Sequence, residues 1–390
     1  MDTEMKNLVR LARQYAFDLN FTVAKKWKKQ DPSRLIIGHL PIYFPREVIH
    51  AAGGMPVGIL GTGDHKQIIK GDAYYQSYIC HIPRGIIELA LDGNLSEFDG
   101  FIFPSICDVM RNLSGMFQLL GKGRFAKYFD FPQNFQSNIG GEFYRKELEA
   151  VLSEMKQING RDTTADALNH SIGLFNKNRQ MLVELYNIRQ DYPWRLPYED
   201  VYSISRAGLM MPIEEHNDML EQTLEYVRQD VGEPMDKIKV VVTGAFCEQP
   251  PLGLIRSIEN AGCYVIDDDL LLGMRWIDGN IADDTDNPLD AIVEAYLTRS
   301  VFSSSVYDVG NWKELQLVEL AKKRKADGVL FAAPSFCDPA MLDSPQLQKA
   351  CDKAGIRHIA FQYSENTGQF KVIKEQVGAF SDSIKLWEVV

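Results

Sequence analysis

The sequence predicts an α/β protein with two mainly parallel sheets joined by a helical segment. Short apolar runs alternate with helical stretches from Leu35 and again from residue 235, which is typical of parallel sheets covered by helices. Between them lie long charged segments with helical periodicity, such as EFYRKELEAVLSEMKQI. Each half also contains one PS-x-CD sequence directly after an apolar run. The two halves are therefore expected to be related lobes.

The predicted organisation has four parts. They are an N-terminal helical segment (1–34), a first α/β lobe (35–141), a helical bridge (142–234) and a second α/β lobe (235–390). A chain of 390 residues is long enough for two domains at roughly 100 to 200 residues each. The N-terminal segment has apolar residues at helical spacing and is expected to cap the first lobe.

Within each lobe the expected strands are short apolar runs. In the first lobe they are RLIIGHLPIYF, MPVGILG and FDGFIFPSICD, and in the second they are KIKVVVTG, CYVIDDDL, ADGVLFAAP and IRHIAFQY. Helices are expected in stretches such as PREVIHAAGG, HIPRGIIELAL, LGLIRSIENAG and SPQLQKACDKAG. Open parallel sheets place their ligands at the carboxyl ends of the strands. The loops that end these runs are therefore the first places to look for a site.

Composition excludes several classes of function. The net charge of −11 argues against a nucleic-acid partner, because binding a phosphate backbone requires a basic face. No run approaches the roughly 20 apolar residues of a transmembrane helix. The start, MDTEMKNLVRLARQYAFDLNF, lacks the apolar core of a signal peptide. A cytoplasmic protein is expected, with its six cysteines reduced.

Three cysteines occupy positions suited to chemistry. Cys107 and Cys337 directly follow apolar strands, and Cys80 precedes the helical stretch HIPRGIIELAL. All three are expected at helix starts, where the helix dipole favours a thiolate or an anionic cluster. The alternative is that each is a small buried hydrophobe, since free cysteine is among the most buried residue types.

The other three cysteines are weaker candidates for a chemical role. Cys263 enters a strand and Cys351 lies on a helix face, so both are expected in the core. Cys247 follows an apolar strand and is a reserve candidate for a ligand. Because the chain lacks the C-x₂₋₄-C pairs of structural zinc sites, spacing alone does not identify a metal. Three thiolates would suit an iron–sulfur cluster with one open iron.

Seven motifs together carry a family resemblance. They are GHLPIYFPREVIHAAGGMPVGILG, CHIPRG, FDGFIFPSICD, YFDFPQN, VVTGAFCEQPP, DDDLLLGMRW and SFCDP. In this order, across nearly the whole chain, they resemble the family of 2-hydroxyacyl-CoA dehydratases and ATP-dependent benzoyl-CoA reductases. The resemblance implies two flavodoxin-like lobes clasping a 4Fe-4S cluster, with Cys80, Cys107 and Cys337 as its ligands.

The resemblance also implies partners and an activity. Family members are heterodimers of two related cluster-bearing subunits and receive electrons from a separate ATP-dependent iron–sulfur activator. The mass of 44.3 kDa and the amino-acid sequences of the motifs most resemble those of the smaller subunit of a benzoyl-CoA reductase, an enzyme that reduces an aromatic acyl-CoA ring. The alternative is a 2-hydroxyacyl-CoA dehydratase, which works through a ketyl radical.

Two departures from the family pattern bear on the subunit type. Leu271 stands where many members have a cysteine, and the segment SENTGQFKVIKEQVGAF is poorer in arginine than in many members. The chain also has no G-x-x-x-x-G-K-[ST] loop, which fits receiving electrons from an ATPase. The run GKGRF is expected to be a solvated turn.

Further residues are candidates for roles in such a site. His81, beside Cys80, is a candidate proton donor, and the alternative is a histidine bonded to backbone at a helix start. Arg84, Arg111 and Lys122 follow the cysteine loops and could meet coenzyme A phosphates, unless they are plain solvated surface residues. The aspartates at 267–269 end a strand and are expected to cap the next helix without a chemical role.

Two interpretations without an iron–sulfur cluster stay open. A pair of α/β lobes also describes binding proteins that close on a small ligand without any metal. A structural zinc protein is the other alternative. Iron content separates them, because a cluster-bearing chain is brown and holds about four iron atoms.

Overall fold

The fold is described from a computed structural model of residues 1–121, 123–229, 231–244, 250–270, 272–307, 310, 312–364 and 369–388. Fourteen α-helices and two four-stranded sheets occupy these ranges. Every strand pairing is parallel. The prediction of an α/β fold with two parallel sheets is therefore confirmed.

The first sheet lies in the N-terminal half. Its strands are β1 (Leu35–His39), β2 (Gly54–Gly58), β3 (Gly100–Pro104) and β4 (Phe125–Phe129), in the order β2-β1-β3-β4. Every residue of β1, β2 and β3 is buried, because helices cover both faces of the sheet. This explains why these strands appear in the sequence as continuous apolar runs.

The second sheet repeats the same strand order. Its strands are β5 (Ile238–Thr243), β6 (Cys263–Asp268), β7 (Gly328–Pro334) and β8 (His358–Tyr363), in the order β6-β5-β7-β8. This order matches the flavodoxin-like arrangement, in which ligands bind where the strand order reverses. That point lies between β1 and β3 in the first sheet and between β5 and β7 in the second. The two PS-x-CD loops follow the equivalent strands β3 and β7.

The helices surround and connect the sheets. In the first half they are α1 (Thr3–Ala16), α2 (Thr22–Lys29), α3 (Arg46–Ala51), α4 (His81–Leu91) and α5 (Asp108–Leu120). The connecting helices are α6 (Glu142–Asn159), α7 (Ala165–Asp191), α8 (Tyr198–Ala207) and α9 (Ile213–Arg228). In the second half they are α10 (Leu252–Asn260), α11 (Pro288–Arg299), α12 (Trp312–Arg324), α13 (Asp338–Lys353) and α14 (Phe370–Glu388).

The two lobes share one continuous hydrophobic core. It includes side chains from both sheets and from the connecting helices. At the junction, the Tyr144 hydroxyl donates to the Tyr43 carbonyl at 3.0 Å, and the Tyr43 hydroxyl donates to the Val301 carbonyl. Gly273 approaches the Pro41 carbonyl so closely that an added Cβ would lie 1.6 Å from its oxygen. Separating the lobes would therefore expose packed core to water.

The structure adds one strand that the sequence did not indicate. β4 follows the turn at Gly121, Gly123 and Arg124, and most of its residues are only half-buried. Its Lys127 pairs with Glu147 at 2.9 Å. An edge strand with a charged side chain lacks the continuous apolar pattern of the central strands. The exact division of the chain into four parts stays a prediction.

No helix in the described ranges is both long and apolar enough to span a membrane.

Candidate functional site

Three cysteines lie at helix starts beside the carboxyl edges of the sheets. Cys80 immediately precedes α4, Cys107 connects β3 to α5, and Cys337 connects β7 to α13. Each occupies the position just before the first helical residue, as the sequence predicts. At this position the helix dipole stabilises negative charge on a sulfur or on a group bound to it.

Cys107 and Cys337 lie within electrostatic reach of each other although 230 residues separate them in the sequence. Burial raises the pKa of the Cys107 thiol, and negative charge on Cys337 raises it further. The backbone N–H groups of Val109 and Met110 donate toward the Cys107 sulfur and lower its pKa. One thiol from each lobe therefore influences the other, and an anionic sulfur at Cys107 has backbone N–H donors.

Cys80 belongs to the same neighbourhood through Tyr75. Burial raises the pKa of the Tyr75 hydroxyl, and charge on Cys80 and on Cys107 raises it further. Tyr75 therefore lies within electrostatic reach of both sulfurs. Cys80 and Cys107 thus both act on Tyr75, and Cys337 acts on Cys107.

The loop that ends at Cys80 is held by Arg84. The Arg84 side chain donates to the Cys80 carbonyl at 3.4 Å and to the Asp72 carboxylate at 2.9 Å. These contacts give Arg84 a role in fixing the loop, which the sequence did not suggest. His81, the proposed proton donor, is the first residue of α4 and is half-buried beside Cys80.

The remaining candidates for phosphate contacts lie farther along the chain. Arg111 is largely exposed and pairs with Asp108 on the first turns of α5. Lys122 lies outside the described residues. Whether either contacts a phosphate group stays a prediction.

The loop before Cys337 has an unusual backbone. Phe336 has φ of 65°, in the left-handed region that side chains rarely adopt, and its side chain is 49% exposed. A residue in this conformation costs about 1 to 3 kcal/mol and persists only where its surroundings impose it. Cys337 itself is buried, and its N–H donates to the Pro334 carbonyl at 3.1 Å. The fold therefore holds a strained residue next to this thiol.

The other cysteines fall where the sequence places them, as far as they are described. Cys263 in β6 and Cys351 in α13 are fully buried in apolar surroundings, which confirms both as core residues. Burial raises the pKa of the Cys351 thiol to about 11. Cys247, the reserve ligand, lies outside the described residues, as does Leu271.

The chemistry of the donors fits an iron–sulfur cluster. Iron–sulfur clusters are held by cysteine thiolates, and each of these three cysteines precedes a helix, with backbone N–H donors at Cys107. Within the described ranges, no three His, Cys, Asp or Glu side chains form a ready site for one metal ion. Convergence of all three sulfurs on one cluster stays a prediction.

A buried ion network occupies the end of β6. The Asp267 carboxylate accepts from Arg275 at 2.9 Å and from Arg324 at 2.6 Å, and Asp268 accepts from the Tyr186 hydroxyl. The cations hold the pKa of Asp267 below its usual value although burial raises it. The third aspartate, Asp269, accepts from the Thr243 hydroxyl and the Gly244 N–H.

These aspartates therefore do more than cap a helix, because Asp268 accepts from the Leu270 N–H at 2.9 Å while several of their other partners are side chains of distant elements. Their carboxylates tie β6 to α7, to α12 and to the end of β5. Sequence reasoning missed the network because its partners lie up to 82 residues away along the chain.

Comparison with known proteins agrees with the resemblance in the motifs. The sequence profile of the family described as 2-hydroxyglutaryl-CoA dehydratase, D-component, matches residues 41–384. One of the subunits of the benzoyl-CoA reductase of Thauera aromatica is 46% identical over 95% of this chain and 96% of that protein.

Two dehydratase subunits are more distant relatives. The beta subunit of (R)-2-hydroxyglutaryl-CoA dehydratase from Acidaminococcus fermentans is 28% identical over 93% of this chain and 95% of its own. The (R)-phenyllactyl-CoA dehydratase beta subunit of Clostridium sporogenes is 25% identical over 89% of this chain and 91% of its own. With the fold and the cysteine loops described above, these matches show that the chain belongs to the 2-hydroxyglutaryl-CoA dehydratase, D-component, family, which includes benzoyl-CoA reductase subunits.

Proposed function

We propose that this chain is a cluster-bearing subunit of an ATP-dependent benzoyl-CoA reductase and takes part in one-electron reduction of an aromatic acyl-CoA ring. The observation that carries the proposal is the 46% identity to the benzoyl-CoA reductase subunit of Thauera aromatica over nearly the full length of both chains. The dehydratase beta subunits reach 25% to 28% over similar lengths. The reductase branch is therefore the better match.

The proposed cofactor is a 4Fe-4S cluster held by Cys80, Cys107 and Cys337. Support comes from their shared position at helix starts, from the electrostatic effect of Cys337 on the Cys107 thiol, and from the effect of both Cys80 and Cys107 on Tyr75. When bound, such a cluster takes up and passes on single electrons at a potential set by its surroundings.

The protein groups around the cysteines have distinct roles in this proposal. The helix N-termini stabilise the negative charge of the thiolates. The continuous core between the lobes keeps water away, and a dry site strengthens electrostatic stabilisation of charge that develops on a substrate. His81 is the proposed proton donor, since it is half-buried directly beside Cys80.

The proposal includes partners. They are a related second cluster-bearing subunit, an ATP-dependent iron–sulfur activator and an aromatic acyl-CoA substrate, in the cytoplasm. Large apolar side chains are exposed on the cysteine loops and beside them, with Tyr78 63%, Phe336 49% and Leu342 79% exposed. Surface apolar groups of this kind are enriched where a protein partner docks.

The test is anaerobic purification followed by assay with the partner subunit and the activator. The expected protein is brown, carries about four iron atoms per chain and supports ATP-dependent reduction of benzoyl-CoA. A colourless, iron-free protein would favour the metal-free two-lobed binding protein. Bound zinc without visible absorption would favour a structural zinc site.

A second candidate is a 2-hydroxyacyl-CoA dehydratase, which is supported by the names of the more distant relatives. The same preparation distinguishes it. Dehydration of a 2-hydroxyacyl-CoA, with no reduction of benzoyl-CoA, would replace the first proposal by the second.

A further inference from the structure

The hydroxyl of Tyr75 is buried without a hydrogen-bond partner among the residues that the structure describes. Its ring packs against the hydrophobic core. The tyrosines on either side of it in the same loop differ, because Tyr74 is 42% and Tyr78 is 63% exposed. Buried hydroxyls nearly always bond to something, so a native partner outside the polypeptide is expected.

The loop that carries Tyr75 is fixed at its first end by Glu88. The buried Glu88 carboxylate accepts from three consecutive backbone N–H groups, of Ile69, Lys70 and Gly71, at 2.7 to 3.0 Å. Gly71 lies so close to the Arg84 carbonyl that an added Cβ would be 2.1 Å from its oxygen. The chain is therefore clamped onto α4 a few residues before Tyr75.

The second end of the loop is fixed by Arg84. This side chain bonds both to Asp72 and to the carbonyl of Cys80. Tyr75 thus lies between two anchors on the same helix, and its inward orientation is set by the fold. Because both ends of the loop are anchored, a flexible loop does not explain why the buried hydroxyl is unpaired.

The position of the hydroxyl points to the partner. Tyr75 lies five residues before Cys80 in the loop that leads to α4 and packs against the same core as Cys107. Charge on both sulfurs adds to the effect of burial in raising the pKa of its hydroxyl. A phenol O–H can donate to an anionic sulfur, whether a cysteine thiolate or a sulfide of a cluster. Resting on the proposed function, we propose that Tyr75 donates a hydrogen bond to a sulfur of the cluster held by Cys80 and Cys107.

The hydrogen bond has a predictable effect on the potential of the cluster. Reduction adds negative charge, which the O–H dipole stabilises, and hydrogen bonds to sulfur are among the factors that set cluster potentials. Tyr75 is therefore a positioning residue that raises the reduction potential. Removing its hydroxyl should make the cluster harder to reduce while leaving its ligands in place.

The test compares Tyr75→Phe with Tyr78→Phe in the anaerobically purified holoprotein. Redox titration monitored by electron paramagnetic resonance is expected to give a more negative midpoint potential for Tyr75→Phe and the wild-type value for Tyr78→Phe. Iron content should be the same in all three proteins. Electron–nuclear double resonance after exchange into D₂O should show one exchangeable proton fewer coupled to the cluster in Tyr75→Phe than in the other two proteins, because the Val109 and Met110 N–H groups contribute in all three.

The outcomes separate this inference from the proposed function. A wild-type protein with no cluster would overturn both. A wild-type cluster whose midpoint and exchangeable proton are unchanged in Tyr75→Phe would overturn the inference alone. The proton measurement on the wild type also tests the inference if Tyr75→Phe fails to fold, since a cluster with no coupled exchangeable proton beyond those of the Val109 and Met110 N–H groups contradicts the proposed bond.

Discussion

The two PS-x-CD loops have the same sequence spacing and equivalent places in the two sheets, but their central residues behave differently. Ile106, before Cys107, is buried and its φ lies outside the left-handed region. Phe336, before Cys337, is half-exposed and has φ of 65°. The strand order therefore determines where each cysteine lies, whereas local packing determines the exposure and the backbone conformation of the residue before it.

The lobes also differ in what surrounds the loops. The first lobe supplies two of the proposed ligands, Cys80 and Cys107, and braces the first of them with Arg84. The second lobe supplies Cys337, and its neighbouring strand ends in a buried ion network around Asp267. The proposed ligands are thus divided unequally, two in the first lobe and one in the second, although the second lobe holds more cysteines.

The largest expected effect comes from the proposed ligands. Replacing Cys80, Cys107 or Cys337 with alanine should remove most bound iron and abolish activity, because each replacement removes one of the three thiolates. Iron analysis and the anaerobic reductase assay would measure this.

The matched controls are the two core cysteines. Cys263→Ala and Cys351→Ala should leave iron content and activity nearly intact, since both thiols lie in apolar core. A Cys337→Ala protein with its full iron complement would show that the ligand assignment is wrong, and Cys247 would then be the next candidate.

The next effect tests the buried charge of the second lobe. Asp267→Asn should lower the free energy of unfolding by about 3 to 5 kcal/mol, because it leaves the buried Arg324 without its carboxylate and takes from Arg275 one of its two, Asp268 being the other. Urea unfolding would measure the loss. Glu149→Gln, which breaks the exposed pair with Arg145, is the control and should change stability by less than about 1 kcal/mol. Equal losses in both variants would contradict the structural role given to the network.

The third effect compares the two loops directly. Ile106→Gly should cost about 2 to 4 kcal/mol, because it removes a buried side chain. Phe336→Gly should be neutral or stabilising by up to about 1 kcal/mol, because glycine adopts the left-handed conformation without strain. Urea unfolding of both variants measures the difference, and a larger loss at position 336 would contradict the contrast between the loops.

The smallest effect concerns pH and the first half of the chain. Burial lowers the pKa of His39, at the end of β1, to about 3 and that of His216, in α9, to about 4. The equivalent strand end in the second lobe is Thr243, which does not titrate. Below about pH 6.5 these histidines bind protons in the unfolded chain but stay neutral in the folded chain. The free energy of unfolding therefore falls by about 1.4 kcal/mol for each histidine with each pH unit that the pH is lowered.

The measurement is urea unfolding between pH 7.5 and 5. Above about pH 6.5 the two histidines do not make the free energy of unfolding depend on pH, because they are neutral in both the folded and the unfolded state. Below that pH, His39→Leu should remove about half of the pH dependence that the two histidines give to the free energy of unfolding. The same pH dependence in wild type and His39→Leu would show that His39 does not contribute.

Sequence reasoning succeeded where a local pattern carries the information. The apolar runs that became β1, β3, β5 and β7 were visible because both faces of each strand are covered. The edge strand β4 was missed because Lys127 and its half-buried neighbours lack that pattern. The network of Asp267 and Asp268 at the end of β6 was missed because their partners, Tyr186 and Arg324, are distant in sequence.

The sequence by itself determined the two parallel sheets, the cysteines at helix starts and the core positions of Cys263 and Cys351. These depend on periodicity and on neighbours a few residues away. Only the tertiary structure decided that Cys107 and Cys337 influence each other, that the Tyr75 hydroxyl is buried without a described partner, and that Phe336 is strained. Such features arise where chain segments far apart in sequence pack together, and no local pattern encodes the distance between them.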